Sequence, residues 1–404
     1  MGYEVDSGEA SAVGSPRRRP EIELLRVVAL VAVFAAHAAQ PFNPWDVWHV
    51  QSPERSKWLG ELVLFLAPWV MPLFVLLAGA SAWYSLGTRS ASDYLNERVT
   101  RLVIPLAAGI LLVVPPQVYF DRRQHGRFAG SLLEFYPRFF EGTYPTGNFT
   151  WGHLWFLAIL AALALVTLPF FQWLRSSNGR RVVRHVAQLC TRPGGILLLA
   201  APAIVVRAVL WAAVPHARPI TTDWSNRTIL LAMFVYGYVL AGEPMLMEAV
   251  DRQWKIALSV AAAFSLAMFV WAWPGNFAQR FPIPFTAQFG IVWSAYTLGG
   301  WAWCVAWLGA ARAIGWGQGR FFRKTRRLLN PFYILHQTVI VTFAFYLIPR
   351  RVGPIGTYLM LSIAAFAVTG ALAVAGSQST LAGPLLGVRA HRAHHRYHLS
   401  EAAS

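Results

Sequence analysis

The feature that most constrains this chain is a recurrence of long apolar runs. They lie at about 24–42, 61–86, 100–119, 153–174, 195–214, 228–241, 255–273, 287–311, 331–348 and 355–376. Most reach the ~20 residues that a helix needs to cross a bilayer, and 228–241 is the shortest. In hydrocarbon every backbone polar group must be satisfied internally, and runs of this length select helices over a barrel. The expected fold is an all-α, polytopic integral membrane protein of about ten transmembrane helices, with both termini on one side. Charged residues make up only 13% of the chain and hydrophobic ones 56%. A soluble domain carries about 25% charged residues, which argues against a large soluble helical protein. Eighteen tryptophans fit a membrane–water boundary.

Net charge is +17. The basic residues fall in blocks between apolar runs: Arg89 and Arg98; Arg175, Arg180, Arg181, Arg184 and Arg192; Arg320, Arg323, Lys324, Arg326 and Arg327; Arg389, Arg392 and Arg396. That pattern assigns these segments and both termini to the cytoplasmic side of a cell (inner) membrane. No basic stripe with interleaved aromatics is present, so nucleic acid is not an expected partner. The charge suits an anionic cofactor or membrane lipids.

Three regions follow: a disordered cytoplasmic tail at 1–20, a transmembrane domain at 21–378, and a basic, His-rich cytoplasmic tail at 379–404. Arg17–Arg19, the next apolar stretch and Ala36-His37-Ala38 imitate a cleaved leader. Nine further runs favour a signal anchor instead. The outer loop at 120–152 is rich in Phe, Tyr and Gly, and its length suits a lid or acceptor platform. Cys190 and Cys304 are expected to be free thiols, with no metal site or disulfide framework. There is no Walker loop, dinucleotide fingerprint, HExxH or GxSxG.

Ionisable residues inside the runs carry the chemistry. Arg26 and His37 are 11 residues apart in the first run. That spacing places them on one helix face, ~16 Å apart along the axis. Arg26 could be a plain anchor and His37 a packing histidine, but an intramembrane ionisable group is a functional candidate by default. A neutral imidazole can take a proton from a hydroxyl or attack a thioester itself. Arg98 and Arg101 open the third run, three residues apart, where guanidinium forks suit phosphate. Pro105 should kink that helix. Met71-Pro72-Leu73-Phe74 with Gly79, Ala80 and Ser81 is structural support for close helix packing. His153-Leu154-Trp155-Phe156 enters the fourth run, and Asn330-Pro331-Phe332-Tyr333-Ile334-Leu335-His336-Gln337 opens the ninth. From these, His153, Trp155, Tyr333 and His336 are candidates for the acceptor side. Gln117, after Pro115-Pro116, is a weaker one.

In this order and spacing, the motifs resemble acyltransferase family 3, a family of membrane acyltransferases, over roughly residues 21–350. The branch most similar is that of glucans biosynthesis protein C, on MPLFVLLAGASAWYSLGTRS, ERVTRLVIPL, PPQVYF and HLWFL. The family often has Ser-Gly at the small-residue turn, where this chain reads Ala78-Gly79-Ala80. The resemblance implies a ten-helix core and O-acylation from an acyl-CoA donor. It also implies a catalytic role for His37, and donor handling by Arg26, Arg98 and Arg101. The expected enzyme moves an acyl group, acetyl or succinyl, to a hydroxyl of a glycan, lipid-linked sugar or secondary metabolite. It would use no metal, and a homo-oligomer is possible. The rival reading is a transporter or flippase, which would show pseudo-symmetric halves.

Overall fold

A computed structural model describes residues 20–213, 224–272, 287–315, 325–350 and 352–388. Residues 1–19 and 389–404, with Arg389, Arg392 and Arg396, lie outside them, as do Arg320, Arg323 and Lys324. Among the described residues the chain is all-helical, with one isolated bridge between Thr143 and Phe149.

Six helical segments are long and apolar enough to cross a membrane: Pro20–Phe42, Lys57–Thr88, Ala91–Gln124, Pro244–Val270, Leu329–Arg350 and Pro354–Gln378. A seventh span arises if Gly152–Val166 and Leu168–Leu174, bent by 48°, are taken together. By this measure the described residues do not reach the expected ten. Gly195–Val209 and Thr228–Gly242 are apolar but short. Ala287–Ile314 has 28 residues, ample length for crossing. Its Trp293, Trp301, Trp303 and Trp307, with several glycines, make it less apolar than an aliphatic run.

Helix α1 (Pro20–Ala39) is central. Pro20 sits at its start and Glu21 and Glu23 in its first turn, where a missing N–H costs nothing and negative charge meets the positive helix end. It packs against α2 (Lys57–Leu66), α3 (Val70–Thr88) and three later helices, α14 (Ala287–Ile314), α15 (Leu329–Leu347) and α16 (Pro354–Gln378). Leu25, Ala29, Ala38 and Ala39 are fully buried along it. Only 17% of the Pro244–Val270 window and 22% of the Pro354–Gln378 window is buried, against 56% for Leu329–Arg350. The first two are therefore peripheral and the third is internal.

The small residues after Met71-Pro72 act as expected. A Cβ at Gly79 would collide with the Phe234 carbonyl, and one at Gly237 with that of Leu76. Two glycines thus bring α3 and α12 (Trp224–Gly242) to backbone contact. The span opened by Arg98 and Arg101 is less regular than expected. Between α4 (Ala91–Arg98) and α5 (Ile104–Leu112) lies a π-turn, Val99–Val103. Pro105 has no N–H to give the Arg101 carbonyl, which instead accepts from Asn330 Nδ2 at 3.3 Å.

The loop after α6 (Pro115–Gln124) is a folded cap. Its short helix α7 (Leu132–Arg138) starts with a Ser131/Glu134 capping box. Arg122 is buried and staples the loop: Nε donates to Asn148 Oδ1 at 2.8 Å, and Nη2 to the carbonyls of Pro145 at 2.9 Å and Gly147 at 2.6 Å. Cys190 and Cys304 are free thiols, both buried. Cys190 closes helix α10 (Ser177–Cys190).

Candidate active site

Three histidines from distant parts of the chain converge. His37 comes from α1, and His336 from α15. His153 lies in a 3-10 turn, Gly152–Leu154, that leads into α8 (Trp155–Val166). Gly152 adopts φ +49°, which a side chain would resist, and this bend turns His153 inward.

The hydrogen bonds set the tautomers. His336 Nδ1 lies 2.6 Å from the Tyr333 carbonyl, which can only accept, so Nδ1 carries the proton and Nε2 is bare. That bare nitrogen lies 2.8 Å from His37 Nδ1. His37 Nδ1 must then donate, which leaves the lone pair on His37 Nε2. The two rings are within 4° of coplanar, as an in-plane N–H···N bond requires. His153 is fully committed. Its Nε2 donates to the Ile334 carbonyl at 2.9 Å, and its Nδ1 accepts from Gln117 Nε2 at 3.3 Å. Gln117 Nε2 also donates to Thr338 Oγ1 at 2.6 Å, and Gln117 Oε1 accepts from Gln337 Nε2 at 3.1 Å. Thr338 in turn donates to the Val113 carbonyl at 2.6 Å. Tyr333 donates its hydroxyl to the His153 carbonyl. Of the three imidazoles, His37 alone keeps a nitrogen without a hydrogen-bond partner among the described residues.

A cavity of about 310 Å³ meets that nitrogen's ring. His37, Gln40, His153, Trp155, Tyr333 and Gln337 line it, against an apolar wall from α2 and α3 that includes Val63, Leu66, Val70 and Met71. The expected residues His37, His153, Trp155 and Tyr333 thus gather at one place. His336 and Gln117 are fully buried behind the lining and orient it rather than face the cavity.

The arginines form a second cluster at the other end of α1. Arg26 donates to Glu23 Oε1 at 3.1 Å and to the Ser81 hydroxyl, which itself donates to the Leu77 carbonyl at 2.6 Å. Arg26 interacts electrostatically with Arg98 and Arg326 as well. Arg26 therefore turns toward α3 and His37 toward α15. Arg98 stacks over the Tyr94 ring at 4.7 Å, whereas Arg101 pairs with Glu97 at 3.2 Å. The π-turn Val99–Val103 begins just after Arg98 and holds Arg101. None of these arginines lines the cavity.

A family model described as an acyltransferase domain (Acyl_transf_3) matches residues 19–374. This chain belongs to acyltransferase family 3. No curated protein and no solved structure matches the chain. As a membrane acyltransferase it has a base candidate, a cavity beside it and a cationic cluster one helix-length away. Ser81, Gln337, Gln40, Trp48 and His49 also stand at the two clusters, without a functional signal of their own in the sequence. Gln337 belongs to the motif that opens the ninth run, and Ser81 to the small-residue turn that suits packing. Trp48 and His49 lie in the loop after α1, with no periodicity to mark them. The Trp48 ring lies 6.5 Å from that of His37, and His49 packs between Trp48 and Tyr144. Burial holds His49 below the ordinary histidine pKa, with Arg122 adding to the effect and Asp121 opposing it. Burial likewise pushes the Tyr144 phenol up to about 12.

Proposed function

We propose that the protein is an O-acyltransferase that moves an acyl group, acetyl or succinyl, from acyl-CoA to a hydroxyl. His37 acts as general base. Its Nε2 lone pair takes the proton of the acceptor hydroxyl as that oxygen attacks the thioester carbonyl. The tetrahedral intermediate then collapses, the C–S bond breaks, and the His37 imidazolium returns the proton to the departing thiolate. The products are an ester and a free thiol, with no net proton change. His336 accepts from His37 Nδ1–H throughout, holding the ring in the active tautomer and stabilising its charged form. Tyr333, through its carbonyl, holds His336.

Arg26 and Arg98, with Arg101 and Arg326 nearby, bind the donor's phosphates at the cytoplasmic end, where guanidinium forks match phosphate oxygens. The ~16 Å between Arg26 and His37 suits a donor with an anionic head and a long thioester arm. Trp155 and the other cavity side chains receive the acceptor. It is a glycan, lipid-linked sugar or secondary metabolite, and the likeness to the glucans biosynthesis protein C branch favours a glucan. Both termini are cytoplasmic and the membrane is the cell membrane.

The observation that carries this reading is the uncommitted Nε2 of His37 beside the cavity. The test is thiol release from acetyl-CoA and succinyl-CoA by the detergent-purified protein, with and without glucan. Wild-type protein should release thiol and His37→Ala should not. Undiminished release by His37→Ala would remove the mechanism.

A further inference from the structure

Helix α10 takes no part in the chemistry above. Its sequence is SNGRRVVRHVAQLC. At ~100° per residue, Arg180, Arg181, Arg184, His185 and Gln188 fall on one side, and Val182, Val183, Val186 and Leu189 on the other. Gly179, Ala187 and Cys190 are buried against the body. Both ends of α10 are anchored. The Ser176 hydroxyl caps the Gly179 N–H at 3.2 Å, and a Cβ at Gly179 would collide with the Trp173 carbonyl. The Cys190 carbonyl accepts from Gln253 Nε2, on α13 (Pro244–Ala272), at 2.7 Å.

Two features of the uncovered side need an environment. Val182 and Leu189 are 49% and 55% exposed, with Phe170, Trp173 and Leu198 also exposed nearby in the chain. Arg180, Arg181 and Arg184 are exposed too, and none has an ion-pair partner among the described residues. Helix α10 follows Arg175, whose guanidinium donates to the Leu86 carbonyl at 2.6 Å and stacks on Trp83. Those contacts lie in the half of α3 where Ser81 holds Arg26, so α10 belongs to the Arg26 end.

We propose that α10 lies in the membrane interface at this end, and that Arg180, Arg181 and Arg184 bind the phosphates of anionic phospholipid headgroups. Water would satisfy the arginines and leave the apolar strip bare. Hydrocarbon would cover the strip and strand the charges. The interface accepts both. This reading needs only that the protein sits in a membrane, and is independent of the proposed chemistry.

The test is native mass spectrometry of the full chain in detergent, titrated with phosphatidylglycerol or phosphatidylcholine. Wild-type protein should bind phosphatidylglycerol more tightly. The triple variant R180Q/R181Q/R184Q should lose about a hundredfold in affinity for its tightest phosphatidylglycerol, while phosphatidylcholine binding stays unchanged. R252Q is the control, since Arg252 already pairs with Glu248 at 3.2 Å, and it should change neither. If the triple variant does not fold, the single variants R180Q, R181Q and R184Q should each lose about fivefold. Equal phosphatidylglycerol affinity in wild type and variants would overturn the proposal. So would displacement of the bound lipid by free coenzyme A, which would hand the arginines to a soluble phosphate ligand.

Discussion

The two ends of α1 meet the membrane's demand on polar groups in opposite ways. At the His37 end, neutral donors meet neutral acceptors. The Tyr333 carbonyl, His336 and His37 form one chain, and Ile334, His153, Gln117, Gln337 and Thr338 form another. At the Arg26 end, charge meets charge: Arg26 with Glu23, Arg101 and Arg89 with Glu97, and Arg312 with Asp251 and Glu21. An unpaired charge inside a membrane-spanning segment is costly, and the His37 end is built from groups that need none at rest. The Arg26 end keeps permanent cations that can attract an anion. Under the proposed mechanism the contrast is a division of labour, with proton transfer at one end and binding at the other.

The largest expected effect tests the neutral end directly. His37→Ala should lower kcat by about 10³–10⁴ and leave the KM for acyl-CoA nearly unchanged, read from steady-state thiol release. His336→Phe comes next. It removes the acceptor for His37 Nδ1–H and should cost about 10² in kcat, with a changed pH–rate profile as its signature. If His336→Phe instead raised the donor KM alone, the division between the ends would break.

At the charged end, Arg26→Gln should raise the KM for acyl-CoA about tenfold with little change in kcat, and the wild-type KM should rise with salt. A kcat loss with unchanged KM would move Arg26 into the chemistry. The smallest effect concerns the loop cap. Because His49 has a lowered folded pKa, the unfolded chain binds the proton first. Stability should therefore fall as pH drops below ~6.5, until His49 itself protonates in the fold. His49→Gln should flatten that slope, which thermal melts at several pH values would reveal.

Much of this was legible beforehand for stated reasons. The spacing of Arg26 and His37 fixes their common face, because an α-helix has one period. Gly79 as a packing residue was legible because only a small residue lets backbones touch. The π-turn that holds Arg101 was not legible, because the i,i+3 rule assumes an unbroken α-helix. His153 and Tyr333 were visible as acceptor-side candidates, yet their polar atoms serve the scaffold. Six described segments, or seven with the pair bent at Thr167, pass on length and apolarity where about ten were expected, and a run of apolar letters does not show where Thr167 bends the chain.

By itself the sequence determined the solvent, the helical class and the inward face of α1, since these depend on apolarity and period along a single segment. Only the tertiary structure decided which imidazole keeps a free lone pair. That choice depends on one backbone carbonyl, Tyr333 fixing His336 and His336 fixing His37 across 299 residues of chain. Hydrogen bonds between distant segments leave no periodic trace, and a tautomer is set by the partner rather than by the residue.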